Sequence, residues 1–161
     1  MAKQRRLGQN LYFEDFAEGD TFHSVGRTIT DSDIRTYLGA TGTNHENHTN
    51  SEYCKQHPLL KDVCAPGVLA LGVVDGFLAS TLTQFLASSM NYGHDKVRYL
   101  KPVYVGDTLS ADLTVAQCRV KDDQWGVMKV DTTAVNDRFE PVLFDSHLFI
   151  VMRRPADGAA Q

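Results

Sequence analysis

The order of apolar and polar residues along the chain predicts one long helix. Over residues 68–86 apolar side chains occupy nearly every side of a helix, and Pro66 stands where a first helical residue would be. A helix this apolar must be wrapped by another part of the fold. We expect it to be buried rather than to cross a membrane, because Asp75, Gln84 and several small polar residues interrupt it.

Beyond this helix the pattern becomes the two-residue alternation that is typical of strands. Four segments carry the alternation or are rich in β-branched residues, and they cover residues 96–104, 109–120, 126–136 and 141–153. Earlier in the chain, a strand is expected over residues 21–30, followed by a short capped helix up to about Gly39. We therefore predict an α+β domain in which an antiparallel sheet of about five strands wraps one long helix.

Length and composition indicate a single domain. The chain has 161 residues, of which 42% are hydrophobic, enough for one core and too few residues for two. We place the domain at residues 11–153, between a flexible leader at 1–10 and a flexible tail at 154–161. No apolar stretch of signal-peptide length follows the first basic residues, so we expect a cytoplasmic protein.

Charge and cysteine content exclude several classes of function. The net charge is -4 and no basic stripe with interleaved aromatic residues is present, so we expect no nucleic-acid partner. The three cysteines form no C-x-x-C pair, which argues against zinc or redox work. His94 and His147 have no partner at metal-ligand spacing in the sequence, and we therefore predict no metal.

The segment from residue 40 to 62 is the first candidate for chemistry. It is rich in Thr, Asn, His, Glu and Gly, which cannot bury themselves, and it is long for a simple connection. His45 and His48 lie within it. On the residues alone, the two histidines are equally well explained as hydrogen-bonding members of a polar loop.

Four stretches of the chain resemble the MaoC-like dehydratases, the group that includes R-specific enoyl-CoA hydratases. They are residues 12–20, with Tyr-Phe-Glu-Asp-Phe and a later Gly-Asp, the loop 40–50, the helix start 65–68, and residues 98–109. The last is the most specific, because Leu-Lys-Pro-Val followed by Gly-Asp is a hallmark of this family. The resemblance runs from about residue 12 to 151 and implies the hot-dog fold.

The same resemblance aligns the polar loop with the family's catalytic segment, glycine-aspartate-any-asparagine-proline-any-histidine. Gly42 and His48 match, whereas Thr43 holds the aspartate position, His45 the asparagine position and Glu46 the proline position. The catalytic carboxylate of the family is therefore absent from its usual place. At the helix start the family often has alanine-histidine-glycine, and here the glycine is kept and the histidine is replaced by proline.

The resemblance implies roles for four residues. His48 is the candidate general base, since an imidazole ordinarily titrates near neutral pH. Thr43 can hold a water but cannot exchange a proton at neutral pH, and His45 is a candidate substitute for the missing acid, as is Glu46. The Gly67 amide is the candidate oxyanion donor, because N–H groups at a helix start lack partners. Its alternative role is simple helix entry after proline.

Five further residues are candidate substrate contacts: Asn44, Pro66, Val68, Arg98 and Lys101. Cations on the strand would help to bind the phosphates of CoA, although a solvated surface explains Arg98 and Lys101 as well, and core packing explains Val68. We expect no cofactor other than the CoA that forms part of the substrate.

The function predicted from the sequence is hydration of an enoyl-CoA or dehydration of a 3-hydroxyacyl-CoA. The aromatic-acidic start resembles hydratases of branched dicarboxylic acyl-CoAs such as mesaconyl-CoA or itaconyl-CoA. Two alternatives stay open: a hot-dog thioesterase, in which Asp75 or Glu46 would serve, and a catalytically silent acyl-CoA-binding subunit, which Thr43 favours. The resemblance and the need to protect edge strands together predict a homodimer or a higher homo-oligomer.

Overall fold

A curved antiparallel sheet packs against one long helix in the computed structural model, which describes residues 10–155. The helices are α1 (Asp31–Thr41), α2 (Ser51–Gln56) and α3 (Gly67–Thr81). The strands are β1 (Thr21–His23), β2 (Arg27–Thr28), β3 (Ser89–Tyr99), β4 (Thr108–Val120), β5 (Trp125–Val135) and β6 (Pro141–Met152). The sheet order is β1-β4-β5-β6-β3, with β2 also on β4. This is the predicted hot-dog architecture, with six strands instead of about five.

Helix α3 is buried on one face only. Ala70, Val73, Val74, Phe77 and Leu78 are buried in the core that the helix shares with the sheet. On the other side Val68 is 56% exposed, so in the single chain the sheet covers one face of the helix. The stretch Gly67–Phe85 has the length and apolar composition of a membrane span, but it is the helix against which this sheet packs.

The N-terminal region differs from the prediction in one place. Helix α1 starts as expected, with Thr30 as N-cap and Asp33 completing a capping box. The strand predicted over 21–30 is broken into β1 and β2, both paired with β4. Between them Ser24 is buried, and its hydroxyl accepts the Ala111 N–H at 2.8 Å. This side-chain bond holds the chain to β4 where the regular ladder is interrupted.

Strand β3 begins seven residues and ends five residues earlier than predicted. It has two irregularities in its pairing with β6, between Asn91 and Gly93 and between His94 and Lys96, so its side chains do not alternate regularly. Residues 100–104, predicted as its second half, leave the strand. Pro102 has no N–H to donate to a ladder there.

The predicted leader and tail lie largely outside the described residues. At the C-terminal boundary, Arg154, which the prediction assigned to the tail, is held to the domain. Its backbone N–H donates to Glu14 Oε2 at 2.8 Å and its guanidinium donates to Asp15 Oδ2 at 2.8 Å.

Candidate active site

The polar loop after α1 folds back against the segment that leads into α3. Gly42 ends α1 in the left-handed region at φ 71°, which favours glycine. A 3-10 turn over Glu46–His48 follows, and the Cys64 N–H donates to the Asn47 carbonyl at 3.0 Å. The short helix α2, which the sequence analysis missed, completes this loop. The loop is therefore anchored three residues before α3 begins.

His48 is oriented by a main-chain carbonyl. Its Nδ1 lies 2.8 Å from the Cys64 carbonyl oxygen. Because a carbonyl can only accept, Nδ1 carries the hydrogen, and in the neutral ring Nε2 is left with the lone pair. The imidazole is half-buried. This is the tautomer that a general base acting through Nε2 requires.

His48 and Gly67 line one cavity of about 380 Å³. The remaining lining residues come from the start of α3, the end of β3 with the turn after it, and β6; they are Cys64, Ala65, Val68, Ala70, Tyr99, Leu100, Lys101, Pro102, Val103 and Val142. The wall is mostly apolar, and its size is in the range of small-ligand sites, about 300–1,000 Å³. Among these lining residues, none is acidic.

Gly67 stands at the first turn of α3, where backbone donors have no partner in the helix. The first intrahelical bond runs from the Ala70 N–H to the Pro66 carbonyl at 3.2 Å, so the Gly67 N–H precedes the helical ladder. A Cβ at Gly67 would lie 3.0 Å from the ring of Tyr99. Glycine therefore lets the aromatic ring close over the helix start.

Tyr99, which lies with Arg98 and Lys101 on the strand expected to pass near CoA, also lines this cavity. Burial raises the pKa of Tyr99, and the nearby Tyr37 raises it further, so the Tyr99 hydroxyl stays protonated at neutral pH. Its position at the end of an irregular edge strand gave no sequence signal that it would cover Gly67.

The structure brings only part of the predicted site together. Thr43, Asn44 and His45 are exposed and do not line the cavity, and the Thr43 hydroxyl is 2.9 Å from that of Thr41. His45 Nδ1 instead accepts the Asn47 N–H at the start of the 3-10 turn. The loop turns His48 inward and leaves the residues before it on the surface.

Among the predicted substrate contacts, Val68 and Lys101 line the cavity, whereas Pro66 and Arg98 do not. Pro66 is the N-cap of α3, and the Arg98 guanidinium donates to the neighbouring Val97 carbonyl. The Lys101 ammonium lies 2.7 Å from Glu140 Oε1. Hydrogen bonds from Lys101, then from Asn136 and Arg138, lower the pKa of Glu140 to about 2. Lys101 is thus held beside a permanent carboxylate.

His48 also lines a second cavity, of about 470 Å³. Its cations are Arg35, paired with Asp31, and Lys61, which lies 4.3 Å from the centre of the Tyr104 ring. No carboxylate lies within ion-pair distance of Lys61 among the described residues. A ligand that ran from one cavity to the other would pass the imidazole.

The cysteines beside His48 are not activated. Cys54 and Cys64 are both buried, and both thiols point to the Asn47 carbonyl. Burial raises the pKa of the Cys64 thiol, and Cys54 raises it further. A thiol in this state is a poor nucleophile at neutral pH.

A separate polar group lies between α3 and the sheet. His94 and His147 face each other across β3 and β6, with ring centres 4.1 Å apart, and Asp145 lies between their nitrogens. The sequence analysis dismissed the two histidines because of their spacing in the chain. Strand pairing brings them together with Asp145, so the argument from spacing was wrong.

Comparison with known proteins gives a consistent result. The family described as "MaoC like domain" matches residues 15–137, more than half of the chain. The (R)-specific enoyl-CoA hydratase of Rhodospirillum rubrum is 32% identical over 104 residues, which are 65% of this chain and 69% of that protein.

A second curated relative is the mesaconyl-CoA hydratase of Cereibacter sphaeroides. It is 31% identical over 153 residues, which are 92% of this chain and 43% of that protein. The chain therefore spans less than half the length of this relative.

Among solved structures, a monoamine oxidase regulatory protein from Archaeoglobus fulgidus superimposes with a TM-score of 0.85 at 27% identity. The match covers 92% of this chain and 98% of that one.

Proposed function

Because the chain belongs to the MaoC-like domain family, we propose that it is a hydratase or dehydratase acting on acyl-CoA thioesters. The reaction is addition of water across an α,β-unsaturated acyl-CoA, or its reverse. Two relatives, 32% and 31% identical to this chain, are named as hydratases of such thioesters. The observation that carries the proposal is the shared cavity of His48 and Gly67.

In this proposal His48 is the general base. Its Nδ1–H is fixed on the Cys64 carbonyl, so Nε2 is free to take a proton from a water molecule. The water oxygen bonds to the β-carbon, and the electrons of the double bond move to the thioester oxygen as an enolate. His48 then returns the proton to the α-carbon. One imidazole thus both takes and returns the proton. The reaction therefore needs no carboxylate, and none lines the cavity.

The Gly67 N–H is the proposed donor to the enolate oxygen. It belongs to the first turn of a fifteen-residue helix, so it has no intrahelical acceptor and it carries the positive end of the helix dipole. Donors placed where negative charge develops lower the barrier, and loss of one such donor typically costs about 10²–10³ in rate. The Tyr99 ring lies against this glycine.

The two cavities suggest how the substrate lies. The apolar cavity suits a short acyl chain, and the more polar cavity suits the CoA arm, with Lys61 and Arg35 near the phosphates. The reacting carbons would then lie beside His48, which lines both. Lys101 would stand at the acyl end, where a carboxylated chain such as mesaconyl has its free charge.

The thioesterase alternative has less support. It needs a carboxylate near the thioester carbonyl, and neither candidate lines the cavity: Asp75 lies beside His147, and Glu46 accepts a hydrogen bond from Asn50 on the surface. A silent acyl-CoA-binding subunit is the remaining alternative, because Thr43 replaces the family's aspartate and lies outside the cavity.

We also propose that two copies associate through the β3 edge. Strand β3 is the last strand of the sheet, and its free edge carries the exposed apolar residues Met90, Tyr92 and Tyr99. The exposed Val68 extends this surface onto α3. An unpaired edge with apolar side chains favours antiparallel pairing with an identical edge, which closes as a two-fold dimer.

The test uses crotonyl-CoA and mesaconyl-CoA with the full chain. Enoyl-thioester absorbance and free thiol are followed in parallel. Loss of absorbance without thiol release supports the hydratase. Thiol release would establish the thioesterase instead, and measurable CoA binding with neither change would establish the silent subunit.

A further inference from the structure

Two buried polar atoms without a hydrogen-bond partner face each other on strand β6. Within residues 10–155, four buried side-chain atoms lack a partner, and two of them are Asp145 Oδ2 and His147 Nδ1, which lie 3.5 Å apart. The two residues are two positions apart on β6 and therefore on the same face of the sheet. Buried polar atoms are costly without a partner, so this pair indicates that a partner is missing.

The protonation of His147 follows from its neighbour Asn91. Asn91 Oδ1 accepts the Gly93 N–H at 3.1 Å, which identifies that atom as the amide oxygen. The same oxygen lies 2.8 Å from His147 Nε2, so Nε2 must be the nitrogen that carries the hydrogen. The neutral ring therefore presents a lone pair at Nδ1, toward a carboxylate oxygen that also has only electron pairs to offer.

His94 on β3 is the third member of this group. It is the cross-strand partner of His147, and the two ring centres are 4.1 Å apart. Its Nδ1 lies 2.8 Å from Asp145 Oδ1, so the carboxylate turns one oxygen toward each histidine. One ligand atom from each of the three residues lies within 4.8 Å of the other two. The three side chains therefore converge on one point.

The group has no permanent positive charge. The Asp145 side chain is 1% exposed, and in the described part of the chain its only ion-pair partners are His94 and His147. A buried carboxylate without a fixed cation is unfavourable. A divalent cation between the two rings would compensate for this charge and would contact both unpartnered atoms.

The distances and the ligand types suit a first-row divalent metal ion. Ligands about 2.0–2.2 Å from a tetrahedral zinc ion lie about 3.4 Å from one another. The separations from Asp145 to the two histidines, 2.8 and 3.5 Å, are close to this value. His94 can move toward His147, because it is exposed on an edge strand with an irregularity directly after it. Two imidazoles with one carboxylate are a ligand set typical of zinc and of ferrous iron.

We propose that His94, Asp145 and His147 bind a first-row divalent metal ion such as zinc. Binding through His94 Nδ1 places the hydrogen of that neutral ring on Nε2, and the side chain is 28% exposed, so water can accept it. Asn91 keeps the hydrogen of His147 on Nε2, as the outer partners of metal-ligating histidines commonly do. None of these residues lines either cavity of His48, so the site is separate from the proposed catalysis.

The experiment uses the full chain without a histidine tag, stripped with a chelator and titrated with zinc by calorimetry. We expect one equivalent per chain and a melting temperature several degrees higher with saturating zinc. Absence of saturable binding would make a protonated His147 the partner of Asp145 instead, and it would overturn the proposal.

Two variants make the test specific. The diagnostic variant is His94→Asn, which should leave the fold intact because His94 is exposed on an edge strand. Asparagine keeps an N–H for Asp145 but removes the imidazole ligand. We expect zinc affinity to fall at least about tenfold, since loss of even an outer partner of a ligand costs about 10- to 100-fold.

The matched control is His23→Asn. It removes the ring of an exposed histidine that makes the same 2.8 Å contact with an aspartate, Asp112, elsewhere on the sheet. We expect this variant to bind zinc as the parent chain does. Unchanged affinity in His94→Asn, or loss of binding in His23→Asn, overturns the proposal.

Discussion

At the scale of single residues, the proposed base depends on a main-chain contact instead of a carboxylate. In its family the loop pairs histidine with aspartate, whereas here the Cys64 carbonyl orients the His48 ring and Thr43 is on the surface. A carbonyl fixes the tautomer without adding charge. The orientation of His48 is therefore insensitive to substitutions that keep the main chain in place.

This leads to a prediction for the thiol beside His48. Cys64→Ser keeps the carbonyl, and the serine hydroxyl can still donate to the Asn47 carbonyl as the thiol does. Since burial raises the pKa of the Cys64 thiol, no thiolate is lost. We expect less than about a tenfold change in hydration rate, well below the ~10²-fold scale for loss of a general base. A larger loss, with unchanged melting temperature, would make Cys64 a participant.

The sequence analysis identified His48 and Gly67 because each matches a short motif of the family. Both residues line the same cavity in the structure. The sequence did not nominate Lys61, and it did not predict the contact between Tyr99 and Gly67, because both depend on how distant segments pack. It also placed Thr43 at the site, because spacing along a loop does not show which side chains turn inward. In this loop, the 3-10 turn after His45 determines which side chains point inward.

At the scale of elements, the strands with one buried face were predicted closely. Strands β4, β5 and β6 begin and end within one residue of the predicted bounds, because each alternates buried and less buried side chains. Strand β3 was displaced, since its edge position and two irregularities remove the alternation. Helix α2 was missed because six residues with only Cys54 buried leave no periodic signal.

Strand β5 also supplies a prediction about stability. A Cβ at Gly126 would overlap the ring of Phe13, which is buried against it. Gly126→Ala should therefore destabilise the fold by about 1–3 kcal/mol, measured by urea unfolding. Gly39→Ala in α1 is the control: nothing lies within 4 Å of the new methyl group, and the helix should gain up to about 1 kcal/mol. Equal effects of the two substitutions would contradict this packing.

At the scale of the whole molecule, the open face of α3 and the free edge of β3 leave the single chain with exposed apolar surface. Burial in a dimer would account for both and would place the start of α3, with Gly67, near the partner. The cytoplasmic location stays a prediction. The helix that could span a membrane by composition is the one that carries the core of this fold.

The dimer is testable by light scattering. We expect the parent chain to have twice the mass of one chain in solution. Met90→Lys, at a 60% exposed position on β3, should shift it toward the monomer, because a charge on an edge strand blocks pairing. Phe139→Lys, at an 85% exposed position in the turn before β6, is the control and should not. A monomeric parent chain would rule out the assembly.

The central claim is that His48 moves the proton during hydration, and the rate of a His48→Asn variant tests it most directly. Asparagine keeps a donor for the Cys64 carbonyl but removes the base, so acyl-CoA binding should persist while the hydration rate falls at least about 10²-fold. His57→Asn, which lies outside both cavities, should leave the rate unchanged. Full hydration activity in the His48 variant would contradict the account.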